Sequence, residues 1–265
     1  MNGNQGAVAL TGATGFIGSA ILNVSSVPVV AVGRSLVLPP QPTALLHAAW
    51  YANPIDYLHS LENVEAADHA MAAARAASLL GIPFVGLGSC AEYAATSSDL
   101  SEASETATNS RYAAEKLRAM DETRAICEQA GTRWVWARVF HPFGPGEKKE
   151  RLVPSVVTAL HQNKLIDLGP CDQVRDQIDV RDVASALLTL CSSDIEGIVN
   201  VSSGTGMVLR DWLTLMAGEQ SALLRFAAST SQASDLLRVV GCSNRLRSVG
   251  WLPIYPSPPH WEHLL

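Results

Sequence analysis

The chain has 265 residues, of which 48% are hydrophobic and 17% are charged, a balance typical of a globular protein with an ample core. Its formal net charge of -6 gives neither the basic surface that nucleic acids need nor a polybasic membrane patch. No apolar run is long enough to span a membrane, and the five cysteines are scattered without a CxxC pair. We therefore expect a cytoplasmic protein with reduced thiols and no nucleic-acid or membrane partner.

The first predicted elements are a strand, a glycine turn and a helix within residues 7–22. Three glycines stand at intervals of three residues, which permits a tight turn, close approach of a pyrophosphate and close packing of the helix. The helix N-terminus would hold the phosphates through backbone N–H groups and its dipole. The pattern predicts a dinucleotide site that includes Gly12, Thr14, Gly15, Phe16, Ile17 and Gly18.

The second predicted strand, VPVVAVGRS, ends at Arg34 and Ser35. Proteins that prefer NAD carry a carboxylate for the adenosine ribose at this place, whereas an arginine suits a 2′-phosphate. The sequence therefore favours NADP(H), while NAD(H) stays possible. The alternative is that Arg34 is a solvated surface residue.

Only ten residues, 35–44, lead from this strand to the next clear one, too few for the usual helix, strand and helix. Extended, they span roughly 31 Å, and the return to the next strand needs roughly 21 Å. We predict that a proline-stiffened link replaces one βα unit, leaving room for a short edge strand at residues 36–38. The adenine pocket should then lack a wall.

An alanine-rich helix is predicted over residues 62–80, ended by Gly81 and followed by a buried strand that ends at Ser89. In an open parallel sheet, chemistry gathers at the carboxyl ends of the strands. Ser89 is therefore a candidate to hold a substrate oxygen, and a simple cap is the alternative.

A tyrosine stands four positions before a lysine in SRYAAEKLRAM, residues 110–120. A helix would place Tyr112 and Lys116 on one face. A fixed ammonium favours the phenolate, so the pair could exchange protons near neutrality. Taken alone, the pattern also fits a surface tyrosine that packs on a lysine stem.

Together these motifs resemble the extended short-chain dehydrogenase/reductases, in the branch of nucleotide-sugar epimerases, dehydratases and ketoreductases. The resemblance rests on TGATGFIG, HAAWYANPIDYLHSLEN, GSCAEY, YAAEK, RVFHPFGPGE, RLVPSVV, QVRDQIDVRDVASAL and NVSSGTG, in this order along the chain. It implies an α/β fold with a Rossmann-type doubly wound parallel sheet in residues 1–140, joined by parts of 173–202. A small substrate-binding region would come mainly from residues 141–265.

The resemblance also implies roles for the site residues. Tyr112 would be the acid/base, Lys116 would bind the nicotinamide ribose and lower the pKa of the phenol, and Ser89 would hydrogen-bond the reacting oxygen. The cofactor site would comprise the glycine turn together with Arg34, Ser35, Ala48, Ala49, Trp50, Tyr112 and Lys116. Substrate contacts are predicted at Ser89, Cys90, His141, Arg151, Leu152 and Arg175, and no metal is expected.

For several of these residues, a structural or solvent-exposed role is the alternative to substrate binding. Arg175 matches the family arginine that binds the nucleotide diphosphate, but it could instead form a salt bridge with Asp176 or Asp179. Arg151 reaches a phosphate or stays solvated, and His141 donates one hydrogen bond or packs in a loop. Cys90 is interpreted as a packing residue.

The resemblance favours an NADP(H)-dependent ketoreductase that reduces a 4-keto-6-deoxy nucleotide sugar with Tyr112 as proton donor. Cys90 and Ala91 stand where dehydratases carry an acidic pair, which disfavours elimination of water. An NAD-dependent nucleotide-sugar 4-epimerase is the first alternative, and a non-catalytic dinucleotide-binding sensor or scaffold is the second. We also expect a homodimer formed by the helices around 62–81 and 108–130, whose alanine faces would permit close approach.

Overall fold

The computed structural model describes residues 6–228 and 237–265. The strands are β1 Ala7–Thr11, β2 Val29–Val32, β3 Pro42–His47, β4 Phe84–Ser89, β5 Trp134–Val139, β6 His141–Phe143, β7 Ile166–Leu168, β8 Val174–Arg175, β9 Gln177–Asp179, β10 Gly197–Val201, β11 Met207–Val208, β12 Leu224–Phe226 and β13 Arg238–Val239. The helices are α1 Phe16–Val24, α2 Glu62–Leu79, α3 Arg111–Ala130, α4 Leu152–His161, α5 Val180–Ser192, α6 Leu209–Ala217 and α7 Asn244–Arg247.

Six parallel strands form the central sheet in the order β10-β5-β4-β3-β1-β2. Residues of α1 and α5 share one core with one face of this sheet. Residues of α2 and α3 pack in a second core against the other face. The predicted α/β fold with a doubly wound parallel sheet is therefore confirmed.

The link between β2 and β3 contains neither helix nor strand, so the predicted loss of one βα unit is also confirmed. As a result β2 lies at the edge of the sheet, bonded only to β1. The short edge strand expected at residues 36–38 is wrong. Leu36 adopts a positive φ of 53°, and Leu36 and Leu38 pack into the core under α2 instead of extending along β2.

The alanine face of α2 points into the molecule. Its alanines are fully buried and pack with aromatic residues of β4 and β5; they are Ala67, Ala70, Ala73, Ala74 and Ala77. These five alanines are therefore not available to a second copy, because this face already covers the sheet. The homodimer itself stays a prediction.

Beyond the main sheet, short strands and two helices form a smaller body around a separate core. This core joins Phe143, Leu160 of α4, and Trp212 and Met216 of α6. A three-stranded sheet in the order β11-β8-β13 carries Arg175 on its middle strand. Within the described residues, no helix is both long and apolar enough to cross a bilayer.

Candidate active site

The turn between β1 and α1 is packed against the chain that follows β3. Gly12 has a φ of 71°, and a Cβ there would lie 2.6 Å from the carbonyl carbon of Ala48. Ala48 N in turn donates to Thr11 O at 3.2 Å. The N-cap of α1 is Gly15, so no side chain caps the first N–H groups of this helix. A phosphate-bearing ligand can therefore approach those N–H groups directly.

At the end of β2, Arg34 and Ser35 are exposed. The backbone carbonyl of Arg34 lies 3.2 Å from Nε2 of His69. No carboxylate of residues 6–228 or 237–265 forms an ion pair with its guanidinium. The side chain is thus available to an external anion.

Tyr112 and Lys116 lie on one inward face of α3, as predicted. The helix begins after Ser110, whose hydroxyl accepts a hydrogen bond from Ala113 N at 3.1 Å. Lys116 is only 2% exposed, and its Nζ donates to Leu87 O of β4 at 2.6 Å. The Nζ lies 5.7 Å from the centroid of the Tyr112 ring. α3 therefore brings both side chains to the carboxyl end of β4, beside Ser89.

Trp50 covers the ammonium group of Lys116. The centroid of its indole lies 3.5 Å from Nζ, and its ring meets that of Tyr112 edge-on at 6.2 Å. The indole N–H donates to Asn63 Oδ1 at 2.9 Å. Asn63 is itself fully buried and donates to Tyr57 O and Ser60 O. The loop after β3 therefore fixes Trp50 over Lys116.

Burial has the largest effect on the pKa values of Lys116 and Tyr112. It lowers the pKa of Lys116 to about 7, and the negative charge of Glu92 acts in the opposite direction. Burial also raises the pKa of the Tyr112 phenol, against a hydrogen bond from Ser89 that lowers it. The ammonium of Lys116 donates to Leu87 O, and the expectation that it lowers the pKa of the phenol stays a prediction.

Sequence reasoning missed a buried ion pair below the site. Glu92 is 0% exposed, and its Oε2 lies 2.7 Å from Nε of Arg138, which is 1% exposed. Its Oε1 accepts a hydrogen bond from Ser89 N at 2.7 Å. Two signals were present in the sequence: the Ser-x-x-Glu spacing of a capping box, and a single charged residue within the apolar strand WVWARV.

The predicted alternative for Arg175 is wrong, because neither neighbouring carboxylate pairs with it. Asp176 accepts hydrogen bonds from the Ser203 backbone N–H and hydroxyl, and Asp179 pairs with Arg181. Among the described residues, Arg175 donates only to the carbonyls of Val174 and Leu237, each at 3.2 Å.

His141 lies near enough to Arg175 for the charge of Arg175 to affect it, and it too lacks an acidic partner in the part of the chain that the structure describes. Its Nδ1 is buried without a hydrogen-bond partner among the described residues. Burial, together with the charge of Arg175, lowers its pKa to about 3, so the ring is neutral. Within residues 6–228 and 237–265, Arg175 therefore has no acidic partner, and His141 has an uncharged ring nitrogen without a hydrogen-bond partner.

The other predicted substrate residues separate into two groups. The guanidinium carbon of Arg151 lies 4.9 Å from the Tyr57 ring, which meets the Tyr112 ring edge-on at 5.2 Å. Cys90 packs against a small core that includes Phe140, and burial raises its pKa to about 12. Leu152 packs against the second core. Arg151 is thus within reach of the site, whereas Cys90 and Leu152 serve packing.

Comparison with known proteins adds family relationships to this geometry. The model of the NAD dependent epimerase/dehydratase family matches residues 36–202. The GDP-6-deoxy-D-mannose reductase of Pseudomonas aeruginosa is 31% identical over 156 residues, which are 54% of this chain and 50% of the relative. The match thus spans about half the length of that relative.

Solved structures share the fold along almost the whole chain. The structure of RMD from Pseudomonas aeruginosa complexed with NADPH has a TM-score of 0.81 at 22% identity, covering 98% of both chains. The UDP-N-acetylglucosamine 4-epimerase from Methanobrevibacter ruminantium has a TM-score of 0.79 at 19% identity, covering 98% of this chain and 97% of the other. The UDP-glucose 4-epimerase of Thermus thermophilus has a TM-score of 0.76 at 20% identity, covering 97% and 98%.

Proposed function

Because the chain belongs to the NAD dependent epimerase/dehydratase family, we propose that it is an NADP(H)-dependent ketoreductase acting on a 4-keto-6-deoxy nucleotide sugar. The observation that carries this proposal is the cluster of Ser89, Tyr112 and Lys116 at the carboxyl end of β4. The relative named as a reductase of a GDP-linked deoxysugar supports the same reaction class.

The residues present fit a nicotinamide dinucleotide. The uncapped start of α1 and the glycine turn suit its pyrophosphate, and the unpaired Arg34 suits a 2′-phosphate. The solved relative with bound NADPH supports NADP(H), and the solved epimerase with bound NAD keeps NAD(H) possible. When bound, the dinucleotide supplies the hydride.

The chain's own residues would supply the proton and hold the substrate oxygen. Like any phenol, Tyr112 is protonated at neutral pH, and burial raises its pKa further. A protonated phenol can donate to a carbonyl oxygen that is being reduced. Ser89, at the carboxyl end of β4 beside Tyr112, would bind the same oxygen.

The substrate's diphosphate would be bound by Arg175, with Arg151 at the opposite, Tyr57 side of the site. Arg175 has no acidic partner among the described residues, so its guanidinium can form charge-assisted hydrogen bonds with phosphate oxygens. The neutral His141 would contribute one hydrogen bond beside it.

A second candidate function, a non-catalytic dinucleotide-binding protein, is favoured by one observation. The indole of Trp50 lies against the ammonium that would bind the nicotinamide ribose. A chain that had lost turnover could retain such a contact. The presence of Ser89, Tyr112 and Lys116 together at the carboxyl end of β4 weighs against this candidate.

The testing experiment is a fluorescence titration with NADPH and NADH, followed by NADPH oxidation with a panel of 4-keto-6-deoxy nucleotide sugars. We expect tighter binding of NADPH and oxidation that depends on the sugar. Tight NADH binding without net oxidation would favour the 4-epimerase, and binding without any sugar chemistry would favour the non-catalytic protein. Binding of neither dinucleotide would contradict the proposal.

We also propose that the chain forms a homodimer through outward residues of α2 and α3, since their inward faces are already covered. Light scattering of the purified protein tests this assembly. A monomer at the concentrations of the assay would contradict it.

A further inference from the structure

Glu92 is a buried carboxylate directly below the candidate active site. Its side chain is fully buried, and it accepts hydrogen bonds from Nε of Arg138 at 2.7 Å and from Nε1 of Trp136 at 3.1 Å. Burial of a charge is unfavourable unless the charge is paired and hydrogen-bonded. The contacts of Glu92 indicate what its charge does at this position.

The carboxylate is attached to the strand end that carries the site. Ser89 N donates to Glu92 Oε1 at 2.7 Å. A Cβ on Gly88 would lie 2.6 Å from the same oxygen, so the carboxylate packs directly on the backbone of β4. One residue earlier, Leu87 O accepts the hydrogen bond from Lys116 Nζ at 2.6 Å. Residues 87–89 therefore connect Glu92 with both Ser89 and Lys116.

Glu92 also balances an excess of buried positive charge. Arg138 and Lys116 are both nearly inaccessible, and no carboxylate of the described ranges forms an ion pair with Lys116. Glu92 is the acidic group whose charge raises the pKa of Lys116 against burial. The titratable groups around this cluster include the Tyr112 phenol on α3, the Cys90 thiol, the Tyr93 phenol and the His47 imidazole on β3. Burial and the charges of His69 and Lys116 lower the pKa of His47 to about 3, so its ring is neutral.

We propose that Glu92 is a positioning residue of the active site, which fixes Ser89 through its backbone N–H and whose negative charge favours the ammonium form of Lys116. Its consequence for catalysis rests on the proposed function. The charge state of Lys116, however, can be measured without any ligand. Glu92 does not need to touch substrate or cofactor for either effect.

The experiment is an NMR titration of the protein labelled with ¹³C in its lysines. The chain has only four lysines, Lys116, Lys148, Lys149 and Lys164, and the last three are exposed. The Lys116 signal is assigned by its loss in Lys116→Met. In the wild type we expect a midpoint near the pKa of about 7. In Glu92→Gln, which keeps the shape but removes the charge, we expect the midpoint to fall by about one unit.

Glu115→Gln is the matched control. Glu115 precedes Lys116 on the same helix, but its carboxylate forms an ion pair with Arg118 at 2.6 Å on the outer side. We expect this variant to leave the Lys116 midpoint unchanged. A Lys116 midpoint that is the same in Glu92→Gln as in the wild type, or higher, overturns the proposal.

Two further measurements keep the proposal testable if Glu92→Gln does not fold. A wild-type Lys116 that already loses its proton more than about one unit below neutrality would overturn the proposal by itself. Glu92→Asp retains the charge, and we expect it to restore a midpoint close to that of the wild type. A Glu92→Asp midpoint that falls as far as expected for Glu92→Gln would also overturn it.

Cofactor binding separates this proposal from the proposed function. If the wild type binds NADPH, its affinity should decline as the pH rises through the Lys116 midpoint, because the ammonium is lost. In Glu92→Gln the decline should begin at a pH lower by the same amount. A shifted Lys116 signal in a protein that binds neither dinucleotide would support the role of Glu92 and reject the ketoreductase.

Discussion

The two ends of the candidate active site, at β4 and at β2, differ in the burial of their residues. At the carboxyl end of β4, the site residues rest on buried, hydrogen-bonded groups, with Lys116 2% exposed and Glu92 fully buried. At the end of β2, Arg34 and Ser35 are exposed, and no strand of the described residues lies beyond them. The proposed catalytic residues are thus held by packing, whereas the proposed recognition of the adenosine end would depend on side chains at the surface. Changes at the buried end should therefore have larger effects.

The largest effect is expected from Tyr112→Phe, which removes the proposed proton donor but keeps the ring that contacts Trp50 and Tyr57. We expect turnover to fall by roughly 10²–10⁴-fold, the usual contribution of a general acid. NADPH affinity, measured by fluorescence titration, should change little. Tyr255→Phe is the control, since Tyr255 stacks on Arg181. Full turnover in Tyr112→Phe would reject this role.

A smaller effect is expected from Arg175→Met. Loss of the hydrogen bonds to a diphosphate should raise the KM for the nucleotide sugar by roughly thirtyfold, with a smaller change in kcat. Arg238→Met is a matched control on the neighbouring strand, because Arg238 already pairs with Asp99. Equal changes in KM for both variants would show that Arg175 has no special part in binding.

At the exposed end, Arg34→Ala should weaken NADPH binding by roughly tenfold through the loss of a contact to the 2′-phosphate. NADH binding should stay the same, and the titration compares both ligands in each variant. Arg124→Ala is a control at another exposed arginine, which pairs with Glu128 on α3. A parallel loss of NADH affinity in Arg34→Ala would contradict recognition of the 2′-phosphate.

The smallest effect concerns stability. Ser110→Ala removes the side-chain cap of α3, and we expect the free energy of unfolding to fall by about 1 kcal/mol. Ser35→Ala, at the exposed end, should change it by less than about 0.5 kcal/mol. Urea denaturation followed by circular dichroism measures both. A larger loss in Ser35→Ala would show that residues at the edge of the sheet contribute more to stability than their exposure indicates.

Local patterns in the sequence predicted much of this fold. The glycine turn, the end of α2 near Gly81 and the shared face of Tyr112 and Lys116 depend on residues close together in the chain, so their spacing is informative. The missing βα unit was also predictable, because the length of the link limits what it can contain.

What the sequence did not reveal depends on contacts between distant segments. The pair of Glu92 and Arg138 joins residues that are 46 positions apart. The raised pKa of Tyr112 follows from burial, which the spacing of a tyrosine and a lysine does not indicate. Leu36 and Leu38 likewise do not extend the sheet, because they pack into the core under α2.

The open edge of the sheet at β2 also makes the chain modular. β2 is bonded only to β1, and residues 33–41 connect it to β3 without a helix or strand of their own. A strand and helix inserted in this link could add to the outside of the sheet while the register of β1, β3, β4 and β5 stayed unchanged. The link is therefore a natural point for grafting a foreign βα unit, which would extend the protein without rebuilding its centre.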